Sequence, residues 1–325
     1  MVNFHFFRLK EAAADGFRSQ QLGGSDLPPW LRALQLLSLH LALVDLGRLE
    51  DAVIIADELE PLAMKIGHSL SVAWCLSTRA WIEFGRAADL AKLEAGFERM
   101  RKSDQEASFV HMEVLSEVQL SLVDFLRGNW MSALLHAQAS RRPAPGRSME
   151  GFGVGTLFRQ LTYAGDRKGA LAILDEKRAL LPDSGQPNSL GSWWMLALVI
   201  EGLVMLDEHS QAGQLYPLAC ELVGTGAVVL WPIFRFTHMI AGVAATAARN
   251  WEAAEDHFQI ALQQAKSFPN LLEQAEIRRF HAMMLIDRAM PGDRKKAHTL
   301  LTEALETYTR IGMPHHIEMT QAFFD

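Results

Sequence analysis

The stretch Gly292-Asp293-Arg294-Lys295-Lys296-Ala297, followed by Leu300-Leu301-Thr302-Glu303-Ala304-Leu305, joins a turn to the start of an amphipathic helix. The same arrangement recurs along the chain, with a turn residue followed five positions later by a residue that is small in most copies. The turn residues of the seven copies are Gly47, Gly85, Gly128, Gly165, Asp207, Ala248 and Gly292. The second positions, from Ala52 to Ala297, are spaced by 38, 43, 37, 42, 41 and 44 residues. A period near forty along the whole chain indicates a repeat architecture.

The residues of one copy explain how such a repeat would fold. Glycine allows the tight turn between two antiparallel helices, and the small residue lets the second helix approach the first closely. Apolar residues in the last copy recur at helical spacing, at Leu301, Ala304, Leu305 and Tyr308. One hairpin cannot bury this stripe alone, whereas stacked hairpins share a continuous core. We therefore predict an all-α fold, a right-handed superhelix (α-solenoid) of about seven antiparallel helix hairpins.

Strand signals are nearly absent, because no period-two alternation of any length occurs and β-branched residues are sparse. The predicted helix pairs are 29–46 with 49–66, 69–84 with 87–101, 106–127 with 130–141, 151–164 with 167–181, 189–206 with 209–223, 229–248 with 251–267, and 270–289 with 293–311. A closing helix follows Pro314. The predicted organisation is an N-terminal partial helix and linker over 1–27, a repeat array over 28–313 and a C-terminal capping helix over 314–325.

Three further segments carry separate predictions. The N-terminal partial helix is expected to expose four phenylalanines to a partner surface, namely Phe4, Phe6, Phe7 and Phe17. The last helix is expected to form a solvated polar cap with His315, His316 and Glu318, because the end of such an array must face water. The basic linker 141–147 is the better hinge candidate of the two longest irregular stretches.

The composition argues against several classes of protein. The net charge is −7 and the pI is about 6.0, which disfavours nucleic-acid binding because phosphate recognition requires a basic surface. Cys75 and Cys220 lie inside helical patterns and are expected to be reduced thiols of a cytoplasmic protein. The absence of an apolar run of about eighteen residues predicts no membrane-spanning helix. The charged residues Arg8, Lys10 and Glu11 come too early for a signal peptide. The abrupt start leaves open that the chain is one region of a larger protein.

The spacing of five between turn and small residue, within a helix–turn–helix repeat, resembles the tetratricopeptide repeat, although the period here exceeds the usual length. Two stretches, 251–262 and 292–314, are similar to the C-terminal sensor regions of large bacterial signal-transduction ATPases. These include maltose-regulator-type transcription activators and proteins that join a cyclase-like domain and an ATPase to a helical-repeat tail. The resemblance implies a module that binds an inducer or a protein partner and controls an output domain. The sequence lacks the phosphate-binding loop, the cyclase-like portion and the DNA-binding helix pair of those proteins, so these activities would lie elsewhere.

Motifs that would indicate enzymatic chemistry are weak. The glycine-rich stretch 151–156 has no preceding strand, so it is interpreted as a helix start that permits close packing. His315 and His316 point to different sides of a helix and do not chelate together easily, and the two cysteines stand alone. No Ser-His-Asp or Cys-His set can be assembled from the spacing. We predict that the chain is not an enzyme and that it holds no metal or cofactor.

In tetratricopeptide repeats, the first helix of each hairpin lines a concave groove. Counting back from the turn residues predicts the groove-lining side chains Arg79, Arg159, Tyr163, Trp194, Glu201, Arg235, His238 and Arg279. Four arginines with interleaved aromatic residues suit a carboxylate or phosphate ligand or an acidic peptide. The alternative is that these charges are solvated or internally paired, as Arg79 and Glu83 would be at a spacing of four. Trp193, Trp194 and Trp231 are candidates for one mouth of the groove, while Trp74, Trp81 and Trp251 suit the core.

Two functions follow from these observations. The first is a regulatory sensor that binds a small, anionic inducer or a peptide in the groove and shifts the state of an output domain. The second is a passive protein–protein interaction scaffold without a small-molecule ligand. Enzymatic modification of a bound substrate ranks below both. The expected partners are a protein, a peptide or a small ligand, with no direct nucleic-acid or membrane binding, and oligomerisation is left open.

Overall fold

The structure, a computed structural model, describes residues 7–22, 26–107, 110–141, 147–231, 235–268 and 270–324. These residues form seventeen α-helices, a short 3-10 helix and one two-stranded antiparallel sheet. The all-helical class predicted from the sequence is confirmed, and the packing of the helices is consistent with a helical repeat. The predicted hinge in the 141–147 linker lies largely outside the described residues.

The helices of the first half are α1 (Leu9–Gln21), α2 (Pro29–Asp45), α3 (Leu49–Ile66), α4 (Ser69–Ala87), α5 (Leu90–Ala107), α6 (Val110–Leu126), α7 (Trp130–Ala139) and α8 (Arg147–Tyr163). The second half contains α9 (Arg167–Lys177) with a 3-10 turn at Arg178–Leu180, then α10 (Leu190–Met205), α11 (His209–Gln214) and α12 (Tyr216–Gly224). After β1 (Val229–Leu230) and β2 (Arg235–Phe236) follow α13 (Thr237–Ala247), α14 (Trp251–Ser267), α15 (Leu271–Arg288), α16 (Asp293–Ile311) and α17 (Pro314–Gln321).

Most predicted helices coincide with observed ones within about four residues at each end, and α3, α14 and α16 have the predicted bounds. The helix predicted at 87–101 begins later and extends to Ala107. The single helix predicted at 209–223 is wrong, because the chain breaks between α11 and α12. Pro217 explains the break, since it has no N–H to continue the hydrogen bonds of the preceding helix.

The helix predicted to start at residue 229 is also wrong. Val229 pairs with Phe236 and Leu230 with Arg235 in a small antiparallel sheet, and helix α13 begins only at Thr237. Two physical signals favour this outcome. Val228 and Val229 are β-branched, and Pro232 disfavours helical backbone in the residue before it.

The backbone itself repeats with a regular period. A left-handed residue follows the first helix of each predicted pair, at Gly47, Ala88, Gly128, Gly165, Asp207, Arg249 and Ala289, with φ between 52° and 79°. Their intervals are 41, 40, 37, 42, 42 and 40 residues. They differ from the predicted turn residues Gly85, Ala248 and Gly292 by three, one and three positions. In the copy that contains Ala248, the fully buried small residue is Ala254, and Ala253 is only partly buried.

The glycine-rich stretch at the start of α8 serves helix packing, as predicted. A Cβ atom on Gly151 would lie 2.4 Å from the carbonyl oxygen of Gly191, on α10. A Cβ atom on Gly153 would lie 2.5 Å from the carbonyl oxygen of Ser140. Any side chain at these two positions would push neighbouring backbone away, so glycine is required for the close approach of α8 to its neighbours.

The segment around β1 connects the second half of the chain to the first. The Val228 N–H donates to the Asp45 carbonyl oxygen (2.7 Å), and the Trp231 N–H donates to Asp45 Oδ1 (2.9 Å). The rings of Trp231 and Trp74 have centroids 3.8 Å apart. Helices α2 and α4 thus contact residues that follow them by about 160–190 positions in sequence.

The N-terminal prediction fails for Phe7, which is only 2% exposed and packs against Trp193. Phe17 is partly buried against the core, and Phe4 and Phe6 lie outside the described residues. Phe17 lies on α1, which packs along α2, whereas Phe7 precedes α1 and finds its partner on α10. Within the described ranges, no helix combines the length and the hydrophobicity needed to cross a bilayer.

Candidate functional site

Six charged side chains from four elements meet in the interior. Helix α8 contributes one arginine, α10 one glutamate, β2 one arginine, and α15 two glutamates and one arginine. Each side chain is at most 5% exposed. We call this group the ionic cluster: Arg159, Glu201, Arg235, Glu273, Glu276 and Arg279.

Glu201 joins two arginines at one side of the ionic cluster. Its Oε1 accepts from Arg159 Nε (2.9 Å), and its Oε2 lies 2.9 Å from Arg235 Nη2. The hydroxyl of Tyr163 also donates to Glu201 Oε1, at 2.9 Å. The guanidinium of Arg159 lies over the ring of Phe125, with its carbon 4.0 Å from the ring centroid. Hydrogen bonds and a cation–π contact thus compensate the desolvation of this pair.

Arg235 continues the network toward α15. Its Nη1 donates to Glu273 Oε1 (2.7 Å) and lies 3.5 Å from Glu276 Oε2. Glu276 Oε2 also accepts from Arg279 Nη2 (3.1 Å), while the Tyr308 hydroxyl donates to Glu276 Oε1 (2.5 Å). Every guanidinium of the ionic cluster is therefore within 3.1 Å of a carboxylate oxygen of the same chain.

The protonation states follow from burial and from these contacts. Burial acts to raise the pKa of Glu201, but Arg159 and Arg235 outweigh it, and the net direction is down. The same holds for Glu276, where burial is outweighed by Arg279, His316 and Arg235. For Glu273, burial is the larger effect and Arg235 offsets only part of it, so its pKa rises to about 7. With Glu273 ionised, three positive and three negative charges cancel.

His316 lies beside the ionic cluster and not in a solvated cap, so that prediction is wrong. Its ring is 5.2 Å from the rings of Phe125 and Tyr308, and its Nε2 is 3.8 Å from Glu276 Oε1. Burial lowers the pKa of His316 to about 3, so the ring is neutral at pH 7. His315, by contrast, contacts Glu318 near the surface, at 3.1 Å.

Three buried nitrogen atoms at or beside the ionic cluster have no hydrogen-bond partner among the residues that the structure describes. They are Arg235 Nε and both ring nitrogens of His316. Buried polar atoms usually have a partner, so such atoms mark a place where water or a ligand atom would be stabilised. The arginines of the ionic cluster, by contrast, offer no unpaired charge.

The structure brings together five of the eight side chains predicted for the groove: Arg159, Tyr163, Glu201, Arg235 and Arg279. All five are buried, and Arg279 Nη2 lies 3.4 Å from the Tyr163 hydroxyl. Trp194, the sixth, is fully buried against Phe152, and its indole N–H takes no part in the hydrogen bonds of these five. Arg159, Tyr163, Glu201, Arg235 and Arg279 are hydrogen-bonded to side chains of the same chain, which agrees with the alternative prediction of internally paired charges. That they bind a ligand stays a prediction.

The other two predicted residues lie apart from the ionic cluster. Arg79 is 38% exposed and pairs with Asp57 (2.6 Å) and Glu60 (3.1 Å), rather than with Glu83. His238 faces His257, with 2.9 Å between the two Nδ1 atoms. Burial and the neighbouring His257 lower the pKa of His238 to about 4. Trp193 and Trp231, candidates for a groove mouth, are both buried.

Glu273, Glu276 and Tyr308 belong to the site but were not predicted from the sequence. A usable signal was present, because Glu273, Glu276 and Arg279 are three residues apart and share one face of α15. A buried arginine requires a carboxylate partner. Had the arginines been predicted as buried, this rule would have pointed to the two glutamates that share a helix face with Arg279. Tyr308 comes from the next helix and could be placed only by the fold.

A second chain of polar contacts runs through the first half of the molecule. His40 Nε2 lies 3.1 Å from Thr78 Oγ1, and the Trp81 indole N–H donates to Gln119 Oε1 (2.8 Å). The Gln160 amide donates to Ser121 Oγ at 3.0 Å. We call these the neutral pairs: His40–Thr78, Trp81–Gln119 and Ser121–Gln160. The two residues of each neutral pair are 38 or 39 positions apart in the sequence. This is close to the 38–42 positions that separate Arg159 from Glu201, and Arg235 from Glu273 and Glu276.

An apolar groove of about 610 Å³ lies at the C-terminal end of the molecule, between the end of α15 and the start of α16. We call it the C-terminal groove. Its lining residues are Leu285, Ile286, Ala289, Met290, Arg294, Ala297, His298, Leu301, Ala322, Phe323 and Phe324. Unlike the ionic cluster, it opens to solvent and exposes large apolar side chains.

Nowhere in the described ranges do three His, Cys, Asp or Glu side chains form a group able to hold a metal ion. Comparisons of the chain with models of known protein families and with curated proteins found no match.

Proposed function

We propose that the chain is a non-catalytic, regulatory helical-repeat module that binds a protein partner. In this proposal the helices form a right-handed superhelix of about seven hairpins. The resemblance of its last third to the C-terminal regions of bacterial signalling or transcription-regulating ATPases supports a role beside an output domain. The free cysteines Cys75 and Cys220 fit a reducing, cytoplasmic compartment.

The observation that carries the proposal is the internal neutralisation of the arginines. Arg159, Arg235 and Arg279 each contact a carboxylate of the same chain and are shielded from solvent. A small anion would have to displace these carboxylates and open the interior to reach them. Open apolar surface is present instead at the C-terminal groove, and exposed apolar patches of this kind are typical of protein-binding surfaces.

A comparison of ligand classes tests the proposal. Thermal melting of the chain would be followed with helical and extended peptides of different charge, and with phosphate and small carboxylates at constant ionic strength. A ligand at about 100 times its Kd stabilises the folded state by about 2.7 kcal/mol. We expect peptides to raise the Tm and small anions to leave it unchanged. A chain that responds to no peptide contradicts the proposal.

A sensor for a small anionic ligand is the second candidate. The three unpartnered nitrogen atoms of Arg235 and His316 favour it, because a ligand could satisfy them. In that case phosphate or a carboxylate would raise the Tm of the wild type. The shift would disappear in Arg235→Gln and persist in Arg79→Gln, whose side chain lies outside the ionic cluster.

A further inference from the structure

We propose that the C-terminal groove binds an amphipathic helix of a partner protein, one whose apolar stripe is flanked by acidic residues. This inference rests on the proposed function, since it names the surface and the kind of partner. The C-terminal groove is a different surface from the concave groove predicted from the sequence, and none of the eight side chains predicted for the concave groove lines it.

The floor and walls of the C-terminal groove are apolar and accessible. Ile286 is 39% exposed, Met290 57%, Phe323 39% and Phe324 38%. They adjoin the buried Leu285 and Leu301, so the exposed surface is continuous with the core. Four large apolar side chains at one site would be costly to leave in water, and burial against a partner recovers that free energy.

The lengths of the last two helices explain why this surface is open. Helix α16 has 19 residues, whereas α17, which packs on it, has only 8. Among the described residues, the first turns of α16 and the last turn of α15 line the groove together with the turn at 322–324. A helix laid in the groove would cover the part of α16 that α17 leaves exposed.

The charge of the lining selects the partner. Arg294 supplies a positive charge, and none of the described residues that line the groove is Asp or Glu. His298, four residues further along α16, lies on the same side of the helix as Arg294. Among the described residues Arg294 has no ion pair, whereas the nearby Arg288 and Lys296 are held by Glu255. The start of α16 adds the positive end of a helix dipole. Acidic residues beside an apolar stripe complement this surface.

The walls favour a helical occupant. Both sides of the C-terminal groove are helices, and the sheet formed by β1 and β2 is not among its lining residues. An extended peptide would find no strand edge there with which to form backbone hydrogen bonds. A helix needs none, because it satisfies its own backbone and presents apolar residues at i, i+3, i+4 and i+7.

The test is a fluorescence anisotropy titration with two labelled peptides of about 18 residues, or five helical turns. Both carry leucine at i, i+3, i+4 and i+7, and they differ only in flanking glutamates or flanking lysines. The protein variants are Arg294→Glu and its matched control Lys295→Glu, which changes an exposed neighbour outside the groove lining. A glutamate in the first turn of a helix is favourable, so both variants are expected to fold.

We expect the glutamate peptide to bind the wild type at least about tenfold more tightly than the lysine peptide. Arg294→Glu should weaken binding of the glutamate peptide about tenfold and strengthen binding of the lysine peptide, while Lys295→Glu changes either by less than about threefold. Met290→Glu, at an exposed position of the groove, should abolish binding of the glutamate peptide.

Three results overturn the inference. One is equal binding of the glutamate peptide to the wild type, Arg294→Glu and Met290→Glu. In that case the peptide binds elsewhere on the chain, so the C-terminal groove is not the binding site, although the chain still binds a protein partner. Another is a Kd above about 1 mM for the glutamate peptide. The last is self-association in sedimentation velocity that Met290→Glu removes, because the occupant is then a second copy. A failed groove test together with no peptide response in thermal melting removes the proposed function as well.

Discussion

In the first half of the chain, helices one period apart are joined by neutral side chains, whereas in the second half they are joined by ion pairs. Trp81 and Gln119 are 38 residues apart, as are Arg235 and Glu273. Both contacts are buried, and each joins two elements that are one period apart in the sequence. Contacts one period apart are thus made with two kinds of chemistry.

The difference predicts how each half responds to change. A neutral pair that loses one partner leaves a polar group without a hydrogen bond, which costs about 1–3 kcal/mol. A buried ion pair that loses one partner leaves an uncompensated charge, which costs about 3–5 kcal/mol. The ionic cluster should therefore be the more sensitive part of the molecule, both to substitution and to pH.

Glu276→Gln should have the largest effect. It removes the carboxylate that Arg279 and Arg235 share, and both arginines stay buried. We expect the free energy of unfolding at pH 7 to fall by about 3–5 kcal/mol in a urea titration. The matched control is Glu303→Gln, which removes a half-exposed partner of Arg278 and should cost less than about 1 kcal/mol. Equal losses in the two variants would contradict the assignment of a coupled cluster.

Glu273→Gln tests the pH dependence of the ionic cluster. The folded-state pKa of Glu273 is about 7, above its ordinary value of 4.5. A raised folded-state pKa means that the contribution of this carboxyl to stability is complete below pH 4.5 and is lost as the pH rises through 7. The glutamine does not titrate.

We therefore expect the stability of the wild type relative to Glu273→Gln to fall by roughly 3 kcal/mol between pH 4.5 and 8. Urea titrations of both proteins at several pH values give this difference. Histidines with lowered pKa values, such as His40, titrate in both proteins and cancel in the comparison. A difference that stays constant with pH would show that burial does not control this carboxyl.

Gln119→Leu tests the neutral pairs. The substitution leaves the Trp81 indole N–H without its acceptor and Ser77 without its donor. We expect a loss of about 1–3 kcal/mol in the free energy of unfolding. Because no charge is involved, the loss should be the same at pH 5 and pH 8. A loss as large as that of Glu276→Gln would remove the distinction between the two halves.

Arg79→Gln should have the smallest effect among these variants. Arg79 has the same predicted groove role as Arg159, but its side chain is 38% exposed and its partners Asp57 and Glu60 are near the surface. Solvent screens such pairs, so we expect a change below about 1 kcal/mol in the same urea titration. A cost of 3 kcal/mol or more would place Arg79 with the buried arginines.

The sequence sufficed to predict the helical class and most helix positions because apolar spacing and turn residues are local signals. The exact positions of the turns were harder to predict. Ala88 and Arg249 adopt left-handed backbone although they are not glycine, and no local sequence signal marks them. The small sheet was missed because its hydrogen bonds join Val229 and Phe236, seven residues apart and on either side of a proline.

The candidate site was predicted only in part. Counting from the turn residues selected Arg159, Glu201, Arg235 and Arg279, because positions one period apart face the same side of the array. Which charge pairs with which depends on packing between helices, and so does the burial of His316. These features are set by contacts across dozens of residues, such as the one between His316 and Phe125, which sequence spacing does not record.

Chemical modification of arginines tests the central claim most directly. Phenylglyoxal would be added to the folded chain, and the rate at each arginine followed by peptide mass spectrometry. We predict that the exposed Arg294 and the half-exposed Arg79 react quickly, while Arg159, Arg235 and Arg279 are protected by at least about 100-fold. That protection corresponds to an opening free energy of about 3 kcal/mol. Reaction of these three arginines at the rate of Arg294 would contradict a sealed ionic cluster.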